Sequence, residues 1–366
     1  MKKFRKSAVT AVKISSAAFF ALFCLASTDS VKAAVESALT RCLTVVVPSL
    51  YAMMIVSGFL VRSGIIEKLS APLSKAGRFF FGMDGCIFPI FLFSMFAGYP
   101  VGAKMLSTAA EKGDITQKQA NLLSGICFGA GPAFIFGCIS SQLYGSSAAG
   151  KLILFSTISA NIVLALLLSL KLKSEKMPDK RYANLRLTSD VLMDSILCGG
   201  RSMADICIMI TAFSVFTAFL ADTGAVSAAA ELISAVAGIS PQSVCGLLCC
   251  FIDVTAADSL PQNDYSILPA ICGLSSFGGV CVIMQISAVT AGKIRLLPVV
   301  VLRIAAAVIS GIICLFAMPF FLAGEAVQAA EINVSAHQAA SPVPSVLLII
   351  MTIILFSEYD KASGVS

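Results

Sequence analysis

The 366-residue chain has no tryptophan and a single histidine, and only 13% of its residues are charged. Each shortage excludes something. A rhomboid-like intramembrane hydrolase needs a base beside its serine, and the one histidine, His337, lies in the polar stretch AGEAVQAAEINVSAHQAASPVP, where an exposed loop residue is expected. A metalloenzyme needs a ligand cluster, and neither HExxH nor a Cys/His spacing occurs. ATP-driven transport needs a GxxxxGK[ST] loop, which is also missing. Cysteine is plentiful, but the 13 residues are odd in number, lack CxxC pairs and fall mostly in apolar runs, so they read as small core residues.

What is present in quantity is apolar surface. Hydrophobic residues make up 58% of the chain, and the mean hydropathy is +0.92. Apolar runs near 8–27, 43–61, 152–170, 204–221, 297–320 and 343–356 approach the roughly 20 residues that span a bilayer as a helix. The fold class expected is an all-α polytopic membrane protein. The first run follows MKKFRK and precedes VKAA, so it has two readings, a cleaved secretory signal or an uncleaved first span. The apolar character of everything downstream favours the span.

Basic residues orient the chain. With a cytoplasmic N-terminus, Lys2, Lys3, Arg5 and Lys6 lie inside, followed on the next return by Arg62, Lys68, Lys75 and Arg78. Lys171, Lys173, Lys176, Lys180, Arg181 and Arg186 fall in the linker KLKSEKMPDKRYANLR, and Lys293 and Arg295 precede the 297–320 span. The segments left outside, near 28–44, 142–151, 222–243 and 321–342, hold only Lys32, Arg41 and Lys151. This asymmetry accounts for the net charge of +6 without a nucleic-acid partner. The expected location is the cell membrane, multi-pass.

Three stretches do not read as simple spans. CIFPIFLFSMFAGYPVGAKML is interrupted by Gly98, Pro100 and Gly102, so it is expected to enter the membrane, turn and leave on the same side. GICFGAGPAFIFG (125–137) and GLSSFGGVCVIMQ (273–285) each place a glycine cluster inside a spanning segment, as in a helix broken at mid-membrane. Backbone groups freed by such breaks persist only where protein or a wet cavity receives them.

The halves of the chain are related. A shift of 148 residues lays Gly125 on Gly273, Gly131 on Gly279 and Ile135 on Ile283; with a shift of 160, FLVRSGI (59–65) lies over FLADTGA (219–225). The partner of the first hairpin is then LLCCFIDVTAADSL (247–260). Each half reads as span, re-entrant hairpin, broken span, span. Three crossings force the second half to run opposite to the first, which gives an inverted repeat of transmembrane helices with two re-entrant hairpins and two broken helices.

GYPVGAK, then GDITQKQA and GAGPAFIFG, with FGGVCVIMQ in the second half, resemble the bacterial sporulation integral membrane protein family called YlbJ, which carries nucleoside-recognition (Gate) domains. The resemblance covers roughly 30–320. Two motif positions depart from the family: Cys127 and Phe128 stand where Asn is frequent ahead of the GP element, and Asp253 and Thr255 keep an acidic-x-Thr pattern without its glycine. The resemblance implies a plan similar to concentrative nucleoside transporters, and a small heterocyclic or aromatic carboxylate as solute, dipicolinic acid during sporulation or otherwise something nucleoside-like. The expected organisation is an N-terminal transmembrane helix (1–28), a first Gate-like repeat (29–171), a cytoplasmic basic linker (172–187), a second repeat (188–320), a polar linker (321–342) and a C-terminal transmembrane helix and tail (343–366).

The expected function is therefore secondary transport, not catalysis, with a non-transporting receptor or assembly factor as the alternative. The partners expected are a small-molecule substrate and the lipid bilayer, with homo-oligomerisation left open. Substrate-binding candidates are Ser94, Gly98, Tyr99, Pro100, Lys104, Gly129, Gly131 and Pro132 in the first half. Thr255, Ser275, Ser276, Gly278, Gly279 and Gln285 are their counterparts in the second. Lys104 either holds an anionic group or snorkels to the cytoplasmic surface, and the serines have helix packing as their alternative role. Asp253, an acid inside an apolar run, is the candidate for a coupling ion, Na+ or H+; its alternative is a structural pair with Arg303. Arg303 in turn has two structural readings, partner of an acid or of exposed carbonyls. No metal or other cofactor is expected.

Overall fold

The structure is a computed structural model that describes residues 18, 20–82, 87–172 and 185–322. The basic N-terminus, most of the 172–187 linker, nearly all of the 321–342 linker with His337, and the 343–366 segment lie outside the described residues. Among the described residues every regular element is helical. Five helical segments are long and apolar enough to cross a membrane, and a sixth would be a pair bent by 118°. The chain is a multi-pass membrane protein.

The first half opens on α1, Thr28–Arg62. Its 35 residues rise about 52 Å, so α1 outruns the membrane and takes in the 28–44 segment expected outside it. A π-wound stretch, Cys42–Val46, lies within it. Pro48 follows; it has no N–H for the carbonyl of Thr44 and its ring crowds that carbonyl, and the wider turn accommodates both. The amphipathic α2, Ile65–Phe81, buries Ile66, Gly77 and Phe81. Then α3, Ile87–Ala97, and α4, Val101–Lys112, form the first hairpin. With 11 and 12 residues, each rises only about 16–18 Å against a hydrocarbon core of about 30 Å, so the pair re-enters rather than crosses. Next come α5, Gln117–Leu123, which Thr116 and Gln119 open with a capping box, then α6, Pro132–Phe134 running on into the π-wound Ile135–Tyr144, and α7, Ser147–Leu172.

The second half repeats the series with α8 (Ser189–Asp222), α9 (Ala225–Ala237), α10 (Pro241–Ile252), α11 (Leu268–Phe277), α12 (Gly279–Val289) and α13 (Leu296–Leu322). The bounds carry the repeat: α1 and α8 end at Arg62 and Asp222, 160 apart, and each is followed by a left-handed glycine, Gly64 and Gly224.

Direction shows the inversion. Along the contact of α1 with α8, Arg41 donates to Ser214 Oγ at 2.8 Å, Gly58 lies against Ser195, and Arg62 approaches Asp194 at 4.0 Å. One number rises as the other falls, so the two equivalent helices are antiparallel. The same holds for α7 and α13, which meet at Asn161 with Arg303 and at Phe155 with Phe321. Equivalent helices that pack antiparallel are related by a two-fold axis in the membrane plane.

Two details differ from the sequence reading. The second hairpin has no helical return limb; beyond Asp253 the chain proceeds through 3-10 turns, Val254–Ser259 and Tyr265–Ile267. Its residues, TAADSLPQND, are rich in types that favour turns over helix. Also, α8 begins at Ser189 rather than near 204, which brings Arg201 into a spanning helix in addition to Asp205, already within the 204–221 run, and to Arg303 of α13. The charges and glycines of DSILCGGRSMAD dilute the hydropathy there, but packing along the whole of α1 sustains the helix.

Candidate functional site at the crossing of the two halves

Each hairpin tip is met by the broken helix of its own half. At the first tip Gly98 takes φ 84°, a region costly for any side chain. Gly131 of the first break packs on it so closely that a Cβ there would stand 3.2 Å from Gly98 N and Cα and from Phe96 O. Gly279, the repeat partner of Gly131, packs on the second tip in the same way, with a virtual Cβ 3.0 Å from Val254 N and 3.3 Å from Cys250 O and Ile252 O. The glycines matched by sequence thus make the same contact in both halves.

The two breaks also meet each other, and Arg303 fastens them. It is fully buried. Its guanidinium donates to the carbonyls of Gly125 and Phe128 at the first break, to that of Ser276 at the second, and to Asn161 Oδ1 of α7. The carbon of the guanidinium sits 4.9 Å from the centre of the Phe128 ring. Asn161 Nδ2 donates to Phe128 O as well, at 2.8 Å. The Arg303 side chain therefore serves carbonyls that the breaks release from helical pairing. Of the two readings of Arg303, exposed carbonyls are the ones its hydrogen bonds support. Asn161, the one amide in the apolar run of α7, is not among the sequence candidates; its signal in the sequence is a polar group at depth.

Asp253 is buried at the second tip, where Oδ1 accepts from Thr255 N at 3.0 Å and Thr255 Oγ1 at 2.9 Å. It caps the first 3-10 turn in place of a helical continuation. No ion pair joins it to Arg303.

A cavity of about 50 Å³ opens between the tips. It draws together Gly98, Tyr99 and Gly131 from the first half with Thr255 and Gln285 from the second. Since about 10–15 Å³ accommodates one water, this space admits a few waters or an ion, and a ring-sized solute requires the tips to part. The wall includes Val46 and Ser49 of α1 and Ile206 of α8, residues that hydropathy alone presents as ordinary core. The Tyr99 ring stacks on Phe128 at 4.9 Å. The Tyr99 hydroxyl, like those of Ser275 and Ser276, is buried without a hydrogen-bond partner, although such groups rarely stay unpaired.

The other sequence candidates lie around rather than in the cavity. Ser94 is buried in α3 and donates to Phe91 O. Gly129 packs on Met95, Pro100 is buried in the tip and Pro132 begins α6. Gly278 lies beneath the Phe128 ring and, with Gly279, forms the second break at φ 88° and 81°. Lys104 is not on this cavity. Its ammonium donates to Val289 O at 2.6 Å, at the C-terminus of α12, and it lines a separate cleft with Arg62, Ser195 and Ser202 between α1, α4 and α8.

Compared with known proteins, the chain is similar to the sporulation integral membrane protein YlbJ of Bacillus subtilis (strain 168), 26% identical over 122 residues, which are 33% of this chain and 30% of that protein. The similarity thus spans about a third of the relative's length. No family model matches the chain, and no solved structure matches it.

Proposed function

We propose that the protein is a secondary transporter, with a cytoplasmic N-terminus, that passes a small anionic solute between the two hairpin tips. The observation that carries this reading is the cavity lined by both inverted halves, with Tyr99 in its wall, its ring stacked on Phe128 and its buried hydroxyl unpartnered. Donors of this kind take up a polar solute, and interrupted helices from two inverted halves form solute sites at the midplane. Arg62 and Lys104, in the cleft between α1, α4 and α8, favour an anion through their field. By the resemblance of the motifs to the YlbJ family, the solute is a heterocyclic or aromatic carboxylate such as dipicolinic acid. Asp253 is the group for the coupling Na+ or H+, and no catalytic step belongs to this reading.

The test is uptake of labelled dipicolinate, with nucleosides alongside, into proteoliposomes under imposed sodium and proton gradients. Gradient-dependent accumulation of one of them is expected. Saturable binding without accumulation favours the alternative, a membrane receptor or assembly factor; absence of both overturns the reading.

A further inference from the structure

The α8 helix carries two charges that the described residues leave uncompensated at membrane depth. At one end of its contact with α1 stands Asp194 beside Arg62, at the other Ser214 bonded to Arg41. The stretch from Asp194 to Ser214 rises about 30 Å, the thickness of the hydrocarbon core. Arg201 lies about 10 Å inside this interval and Asp205 about 16 Å, close to its middle. Arg201 is exposed and Asp205 half-buried. Among the described residues neither forms an ion pair or a side-chain hydrogen bond.

Their surroundings are apolar. Met193, Leu197 and Ile208 on the same face are 54%, 55% and 65% exposed, and Ala204 is exposed between the charges. The opposite face, with Ser195, Gly199, Ser202 and Ile206, is buried, and α8 is the least buried of the five long apolar segments. A charge facing lipid at this depth is costly. Arg201 reduces the cost by leaning toward the near end of the helix, but the short Asp205 side chain has no such reach.

We propose that this face of α8 docks against the same face of a second copy of the chain, with Arg201 of each copy paired to Asp205 of the other. The charges specify this occupant because the face is complementary to itself. Two copies inserted in the same sense and related by a two-fold axis along the membrane normal place their α8 helices side by side and parallel. Residues four apart then differ in height by about 6 Å, which an arginine side chain covers, and the two-fold makes the pair twice. Ala204, the small residue between them, lets the backbones approach.

The experiment uses full-length protein in native membranes, with all 13 native cysteines replaced. Ala204→Cys is expected to give an oxidatively cross-linked dimer. On that background Arg201→Asp alone and Asp205→Arg alone place like charges together, and each should lower the yield about tenfold, the factor that corresponds to about 1.4 kcal/mol. Co-expression of the two variants under different tags restores opposite charges at both contacts, so the mixed dimer alone should return to the parental yield. Recovery in the mixed dimer shows in the same cells that both variants fold. No cross-link through position 204, single variants that cross-link as well as the parent, or a mixed dimer no more abundant than either homodimer overturns the proposal.

Discussion

Replacing Arg303 by leucine removes a donor that serves both broken helices. Phe128 O keeps the bond from Asn161 Nδ2, but Gly125 O, Ser276 O and Asn161 Oδ1 each lose the guanidinium. A buried acceptor left unmet costs about 1–3 kcal/mol, so three of them set a gross loss of about 3–9 kcal/mol. Two effects offset part of this. Leucine carries no charge to desolvate, and Asn161 is free to turn its amide. We therefore expect a net loss of about 3 kcal/mol or more, read from denaturant unfolding in detergent micelles against wild type. Arg303→Lys, one ammonium in place of a planar fork, should fall between. Asp253→Ala should leave the Arg303 contacts intact, because Asp253 supplies none of them. The reasoning is refuted if Arg303→Leu unfolds within about 0.5 kcal/mol of wild type, the range of an uninvolved surface change.

Gly131→Ala and Gly279→Ala each insert a methyl group at about 3 Å from the backbone of a hairpin tip, so both should destabilise by about 1–3 kcal/mol and depress transport; if only one of them does, the two halves are not equivalent at the crossing. Asp253→Asn keeps an oxygen for the Thr255 donors, so expression and solute exchange should persist while accumulation driven by an ion gradient is lost, and undiminished accumulation would contradict the coupling role. Asp114, between α4 and α5, is held above the usual carboxylate range by burial and by the neighbouring Glu67 carboxyl, with Lys112 opposing. A raised pKa means that the folded state binds the proton more tightly, so this group favours folding at low pH and loses that contribution as pH rises from about 4 through its raised value. Asp114→Asn should flatten that part of the stability profile without a loss at pH 7, and an unchanged slope would show that Asp114 is not its source.

Much of the architecture was legible because backbone chemistry imposes it. The glycine breaks, the tip at Gly98–Pro100 and the shifts of 148 and 160 residues all lie in positions where only certain residues allow the geometry, and the element bounds and the antiparallel packing of α1 on α8 and α7 on α13 follow them. The true start of α8 was hidden because Asp194, Arg201 and the glycines 199 and 200 depress local hydropathy while the packing that holds the helix comes from α1, far away in sequence. The candidate site was legible in outline only. Gly98, Tyr99, Gly131, Thr255 and Gln285 converge on the cavity, but Ser49 and Ile206 belong to it through tertiary packing that no local pattern reports. Lys104 shows the converse. Its chemistry suits an anion, yet the carbonyl of Val289, 185 residues away, accepts its hydrogen bond.

The most direct test of a solute path between the tips is the reactivity of Gln285→Cys in protein lacking its native cysteines, reconstituted with known orientation. If the two halves open the cavity to each side in turn, an impermeant thiol reagent should modify this cysteine from both sides of the membrane, and dipicolinate should slow both reactions. Modification from one side only, at a rate the solute does not change, would contradict the account.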